Sequence, residues 1–181
     1  MTEADIDKLL ENVERAHKEI QLTTDFSVAC KDADFIIESM AENPEAKREF
    51  YKAIDPFLSE NTIIATNSSS MVPSQFRDCL SRPENYLAIH FANNIWKSNT
   101  AEIMGHDGTS KEAYEAVANF ASEIKMIPLR LHKEQPGYIL NSMLIPFLSA
   151  GEMLLAKEVA DPATIDLTWR LGTGSPLGPF Q

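Results

Sequence analysis

Ile6, Leu9, Leu10, Val13, Ala16 and Ile20 recur at helical spacing, and they follow Thr2 with Asp5 three positions on, so the chain opens on a capped amphipathic helix. A short extended piece around Ile20 to Leu22, a polar Thr23-Thr24-Asp25 cap and a helical turn through Ala29 come next. The period then changes. Asp34-Phe35-Ile36-Ile37-Glu38-Ser39 reads as a buried strand, Pro44 stands near the first turn of a helix running to about Phe57, and Ile63-Ile64-Ala65-Thr66 reads as the next strand. Tyr86 to Phe91, Ala101 to Met104 and Met126 to Leu131 supply further strands, and Lys111 to Ile124 a helix that turns Tyr114, Val117 and Phe120 inward. This alternation predicts an α/β fold built on a parallel, doubly wound sheet.

After His132-Lys133-Glu134-Gln135-Pro136-Gly137 the strand patterns stop. Ile139 to Ala156 reads as a long helix with an apolar face, and Asp161-Pro162 pairs an N-cap with proline at the first helical position of a helix ending near Leu171-Gly172. Two domains are expected, an α/β unit over 1–132 and the start of an all-helical unit over 133–181. There are no internal repeats and no low-complexity tracts.

Composition narrows the classes of partner. With 44% hydrophobic and 24% charged residues, the 181-residue chain has the make-up of an ordinary globular protein. Its 27 acidic against 16 basic residues give a net charge of −11, which opposes binding to nucleic acid and to anionic membrane surfaces and favours a small-molecule substrate. Cys30 and Cys79 have no CxxC partner, so they read as reduced thiols and no metal site is expected. No apolar run is expected to reach the ~18 residues that span a bilayer. Met1 opens onto acidic residues rather than a basic, apolar leader, and the compartment reads as cytoplasmic.

In doubly wound sheets ligands bind beyond the carboxyl ends of the strands, so the residues there are the candidates for chemistry. Glu42-Asn43, Asn67-Ser68-Ser69-Ser70 and His90-Phe91-Ala92-Asn93 occupy such places, and Glu102 lies in the fourth strand. Oxidation of a hydroxyl to a carbonyl needs a base for the hydroxyl proton, a group that stabilises the resulting imidazolium, and donors that hold the oxygen. His90, Glu102, and Ser69 with Asn141 are of the right types. Each also has an ordinary structural explanation taken singly: a histidine can be a satisfied structural residue, and a serine run a turn or helix cap.

The ordered set goes further. Ala65-Thr66-Asn67-Ser68-Ser69-Ser70, His90-Phe91-Ala92-Asn93, Thr100-Ala101-Glu102-Ile103 and Pro136-Gly137-Tyr138-Ile139-Leu140-Asn141 together resemble the L-3-hydroxyacyl-CoA dehydrogenase family. That family carries an S-N-T/S-S-S turn, an H-F-x-N-P segment, a V-E strand and a P-G-F-I-x-N-R helix start in this order. The likeness extends upstream to Ile37-Glu38-Ser39-Met40-Ala41-Glu42-Asn43 and Lys47, and downstream through Gly172 to Phe180. The resemblance implies His90 as general base with Glu102 as its carboxylate partner, and Ser69 and Asn141 as contacts to the substrate oxygen. It places Glu42, Lys47, Asn67 and Asn93 on the nicotinamide side, although Glu42 with Asn43 could equally cap a helix and Lys47 could be a solvated helix residue. It further implies NAD as cofactor, an acyl-CoA substrate, and a homo-oligomer formed through the helical domain.

The chain departs from the family pattern at Asn94, where the family has proline, at Ser142, where it has arginine, and along Trp96-Lys97-Ser98-Asn99. These changes bear on the acyl pocket rather than on the reaction. The family also begins with a strand, a G-x-G-x-x-G turn and a helix that hold the dinucleotide pyrophosphate. Here the first of only seven glycines is Gly105, so the sequence is expected to be the central part of such an enzyme, a partial Rossmann-like sheet truncated at both ends. Such a chain alone is expected to bind NAD poorly. The competing expectation is a non-catalytic, crystallin-like or binding protein on the same scaffold. Another is a hydroxyacid dehydrogenase of the same superfamily, which would use a lysine base.

Overall fold

The structure, a computed structural model, describes residues 2–181. Helix α1 (Glu3–Glu19) has the capping box that the sequence signals, with the Thr2 hydroxyl and the Asp5 carboxylate each serving the other's backbone N–H. A one-turn helix α2 (Phe26–Ala29) precedes strand β1 (Phe35–Glu38). Helix α3 (Pro44–Ile54) starts on Asn43, whose side chain accepts from the N–H of Ala46, and tightens into a 3-10 turn at Asp55–Phe57. Strands β2 (Ile63–Thr66), β3 (Tyr86–Phe91) and β4 (Thr100–Gly105) lead to helix α4 (Lys111–Glu123) and strand β5 (Ile127–Arg130). Helices α5 (Tyr138–Ala156) and α6 (Pro162–Thr173) complete the described chain.

The sheet has five strands in the order β1-β2-β3-β4-β5. It is mixed, which corrects the expectation of a parallel sheet: β1, β2 and β3 are parallel, β3 and β4 antiparallel, and β4 and β5 parallel. The eight residues between Phe91 and Thr100 are too few for a crossover, which needs a dozen or more, so the chain returns as a hairpin.

The two-residue period of the strands sorts their side chains onto two faces. Ala65, Leu87, Ile89, Ala101 and Ile103 meet Val117, Ala118 and Ala121 of α4 on one face. On the other, Ile64 and Tyr86 pack against Tyr51 and Ile54 of α3 and against Phe76. Farther along that second face Ala88 and Met104 meet Val72, Leu131 and Tyr138, where the head of α5 lies on the sheet. His90 and Glu102 belong to this second face, next in the alternation after Ala88 and before Met104.

Helix α5 is 19 residues long with a mean hydropathy of 1.5 over its most apolar stretch, long and apolar enough by length and composition to cross a bilayer. This corrects the expectation that no stretch reaches that length. Asn141, Ser142 and Ser149 break the apolar run when residues are read singly, but the average over the helix remains apolar because Glu152 is its single charged residue. Only Tyr138 and Gly151 of α5 are fully buried. The helix packs on α6 through Phe147 and Trp169, whose ring centroids are 4.5 Å apart.

Candidate active site

The pairing of β3 with β4 puts His90 directly opposite Glu102, and directly opposed residues of an antiparallel pair project to the same face. Nδ1 of His90 lies 3.0 Å from Oε2 of Glu102, with both side chains almost wholly buried. An ionised carboxylate can only accept, so Nδ1 carries the proton and Nε2 is left as the acceptor. Nε2 faces the Ser69 hydroxyl at 3.2 Å.

The other oxygen of Glu102 accepts from the N–H groups of Ile139 and Leu140, at 2.9 and 3.0 Å. Those are orphan donors of the first turn of α5, and a carboxylate at a helix N-terminus is favoured by both the hydrogen bonds and the helix dipole. Glu102 thus ties the histidine on one side to the helical segment on the other. One turn into α5, Asn141 donates through Nδ2 to the backbone carbonyl of Ser69 at 3.3 Å. His90, Glu102, Ser69 and Asn141 therefore meet at one place, at the ends of β2 and β3 and the start of α5.

The serine turn after β2 is held by Glu42. Its Oε2 accepts from the hydroxyls of Ser68 and Ser70, each at 2.8 Å, and its Oε1 from the N–H of Ser69 at 3.1 Å. Burial pushes the Glu42 carboxyl up, but the Ser70 and Ser68 hydroxyls, the Ser69 N–H and the charge of Lys47 outweigh it and hold the group below its usual value. Asn67 accepts through Oδ1 from the N–H of Phe91 at 3.1 Å, bridging the ends of β2 and β3. Asn93 is exposed and has no side-chain partner among the described residues.

Lys47 is buried, which corrects the reading of it as a solvated helix residue. Its ammonium is completely buried and sits 2.7 and 2.8 Å from the two oxygens of Glu38. The Tyr51 and Thr66 hydroxyls, each at 2.7 Å, and the N–H of Met40 complete the donors to Glu38. Burial pushes the Glu38 carboxyl up, yet the bonds from Lys47, Thr66, Tyr51 and Met40 bring it below its usual value. Thr66 also accepts from the N–H of Ser68, so the buried cluster supports the serine turn from beneath.

Sequence reasoning missed Glu38 and Tyr51 as members of this support, and it missed Tyr138, whose ring stacks on His90. Only the Pro136-Gly137 pair signalled a special backbone beside Tyr138.

The arrangement can take a proton at Nε2 of His90 from a hydroxyl seated against Ser69 and hold the resulting imidazolium against Glu102. The carboxyl ends of parallel β1, β2 and β3 lie beside His90, the place where a doubly wound sheet offers its ligand crevice, so a dinucleotide such as NAD would fit there.

Comparisons with known proteins bear on the family. The family description "3-hydroxyacyl-CoA dehydrogenase, NAD binding domain" matches residues 3–135, and "3-hydroxyacyl-CoA dehydrogenase, C-terminal domain" matches residues 137–181. Mitochondrial hydroxyacyl-coenzyme A dehydrogenase of Homo sapiens is 30% identical over 171 residues, covering 94% of this chain and 54% of that protein. The 3-hydroxybutyryl-CoA dehydrogenase of Clostridioides difficile is 32% identical over 150 residues, 83% of this chain and 53% of that one. Among solved structures, a diketoreductase described as acting on dicarbonyl compounds has a TM-score of 0.90 and 46% identity, covering 92% of this chain and 59% of that one. The (S)-3-hydroxybutyryl-CoA dehydrogenase of Ralstonia eutropha follows with a TM-score of 0.86 and 28% identity, covering 97% and 64%. The chain thus spans about half the length of the curated relatives it matches.

Proposed function

The chain belongs to the 3-hydroxyacyl-CoA dehydrogenase family, and on that premise we propose that it serves the NAD-dependent interconversion of (3S)-3-hydroxyacyl-CoA and 3-oxoacyl-CoA. The observation that carries the reading is His90 held between Glu102 at 3.0 Å and Ser69 at 3.2 Å. In the oxidising direction Nε2 of His90 takes the proton of the 3-hydroxyl, and the carbonyl forms as the C3 hydrogen leaves with its electron pair. NAD, when bound, accepts that hydride. Ser69 and Asn141 hold the substrate oxygen while its C–O bond shortens, and Glu102 stabilises the charge gained by the imidazole. In the reverse direction the imidazolium returns its proton to the oxygen. Short acyl chains, a cytoplasmic setting, two domains meeting near residue 133 and a homo-oligomer formed through the helical segment belong to the same reading. The exposed apolar side chains of Met143, Ile145 and Leu171 support the last point. A non-catalytic, crystallin-like role is disfavoured by the complete hydrogen-bonded set.

A second reading concerns the substrate alone. The 46% identity to a diketoreductase, well above the 28–32% to the acyl-CoA enzymes, favours a dicarbonyl compound without CoA. Ser142 and Asn94, which stand where the acyl-CoA family has arginine and proline, favour it too. The full-length protein should be assayed by NADH oxidation with acetoacetyl-CoA and with a CoA-free dicarbonyl ester. A kcat/KM at least tenfold higher on the thioester supports the first reading, and the opposite order the second. No turnover of either would end the enzyme reading.

A further inference from the structure

We propose that Tyr138 is a positioning residue that stabilises the protonated form of His90 through the face of its ring. The proposal rests on the reading of His90 as the proton acceptor. The two rings stack with centroids 4.5 Å apart and planes 22° from parallel, so the π face of the phenol is turned to the imidazole. An aromatic face is the negative end of the ring quadrupole, and a cation held against it in a desolvated place is stabilised. The place is desolvated, for Tyr138 is fully buried and His90 is 6% exposed.

The backbone points the same way. Tyr138 adopts φ of +54°, a conformation that bulky residues avoid, directly after Gly137 at +79°. Strained backbone of this kind persists where surrounding structure holds it, and here the holders are identifiable. Glu102 grips the next two N–H groups, and Val72, Ala88, Met104 and Leu131 enclose the ring. The carboxylate that pairs with His90 therefore also fixes the turn that lays Tyr138 on it.

Other groups around the imidazole do not replace this contact. Glu102 from β4 lies in the ring plane at Nδ1, Ser69 from the turn after β2 is neutral, and Glu42 after β1 is occupied with the serine turn. Tyr138 from α5 is the aromatic ring stacked on the imidazole face among the described residues. Its phenol stays neutral, because burial and then Glu42, Glu102, Glu38 and Glu134 all push its titration up. A neutral, electron-rich ring is the state the contact requires.

The stack gains strength as the proton arrives, because the charge moves onto the imidazole in that step and leaves again when the proton is returned. It therefore acts on proton transfer without touching the substrate.

The test varies the electron density of the ring with little change in its shape. In the full-length protein, Tyr138→Phe and then phenylalanines carrying one, two and three fluorines at position 138 should be compared by NMR titration of the His90 ring without ligands. Tyr138→Phe should keep the titration midpoint within a few tenths of a pH unit. Successive fluorines should lower it stepwise, by on the order of one pH unit in total. The acid limb of the oxidation rate profile should move down in pH by the same steps. A midpoint that stays constant across the fluorinated series would overturn the proposal and leave Tyr138 as packing. The premise is tested separately: normal turnover by His90→Ala would remove His90 as the base whatever the titration shows.

Discussion

Nδ1 of His90 and Oε2 of Glu102 stand 3.0 Å apart on directly opposed residues of β3 and β4, while the second oxygen of the same carboxylate caps the first turn of α5. The pair is therefore a junction between the sheet and the helical segment as well as a candidate proton-transfer unit. His90→Ala in the full-length protein should lower kcat by roughly 10²–10⁴ through loss of general-base catalysis. Glu102→Gln keeps much of the hydrogen-bonding shape but removes the charge, so it should lower kcat as well. If the two act as one unit, the double variant loses far less than the product of the single losses. Steady-state kinetics on the four proteins gives the answer, and fully multiplicative losses would mean that the two residues act independently.

The buried pair of Lys47 and Glu38 leads to an asymmetry in stability. Glu38→Gln would strand the ammonium of Lys47, which is 0% exposed, and removing one partner of a buried pair costs about 3–5 kcal/mol. Lys47→Met leaves Glu38 with the Tyr51 and Thr66 hydroxyls and the Met40 N–H, so its cost should be smaller, on the order of 1–2 kcal/mol. Urea unfolding of both variants measures the difference. A larger loss in Lys47→Met would show that the carboxylate, not the ammonium, depends on the pair.

Acid sensitivity follows from the two carboxylates whose titration the fold lowers. Glu38 and Glu42 are both held below their ordinary value of 4.5. A group with a depressed folded-state pKa contributes stability that is present above its unfolded value and is lost as pH falls through the folded one. Stability should therefore hold down to about pH 4.5 and decline below it, with the serine turn loosening as Glu42 gains its proton. Thermal unfolding followed from pH 6 to pH 3 checks this, and Glu42→Gln should flatten part of the decline. An unchanged slope in that variant would assign the acid loss to other carboxylates.

The sequence by itself determined the order and kind of the elements, because each rests on local chemistry. The Thr2 and Asp5 capping box, the Asn43 cap before Pro44, and the apolar runs at Ile63 to Thr66 and Tyr86 to Phe91 act within a few residues of where they are read. The ordered motifs around Ser69, His90, Glu102 and Asn141 likewise indicated the family, since the matching residues lie in short stretches of chain. Tertiary structure alone decided what depends on partners distant in sequence. The direction of β4 follows from a hairpin that strand composition does not reveal, and that direction sets Glu102 opposite His90. A lysine that reads as a solvated or ligand-facing helix residue became a buried counterion, because β1 delivers Glu38 beneath α3. The ring of Tyr138 reached the face of His90 across 48 positions of chain, by way of a left-handed backbone that the sequence marks only with Gly137. Local preferences are written in neighbouring residues, whereas burial, pairing and stacking exist only once the sheet has brought remote side chains onto one face.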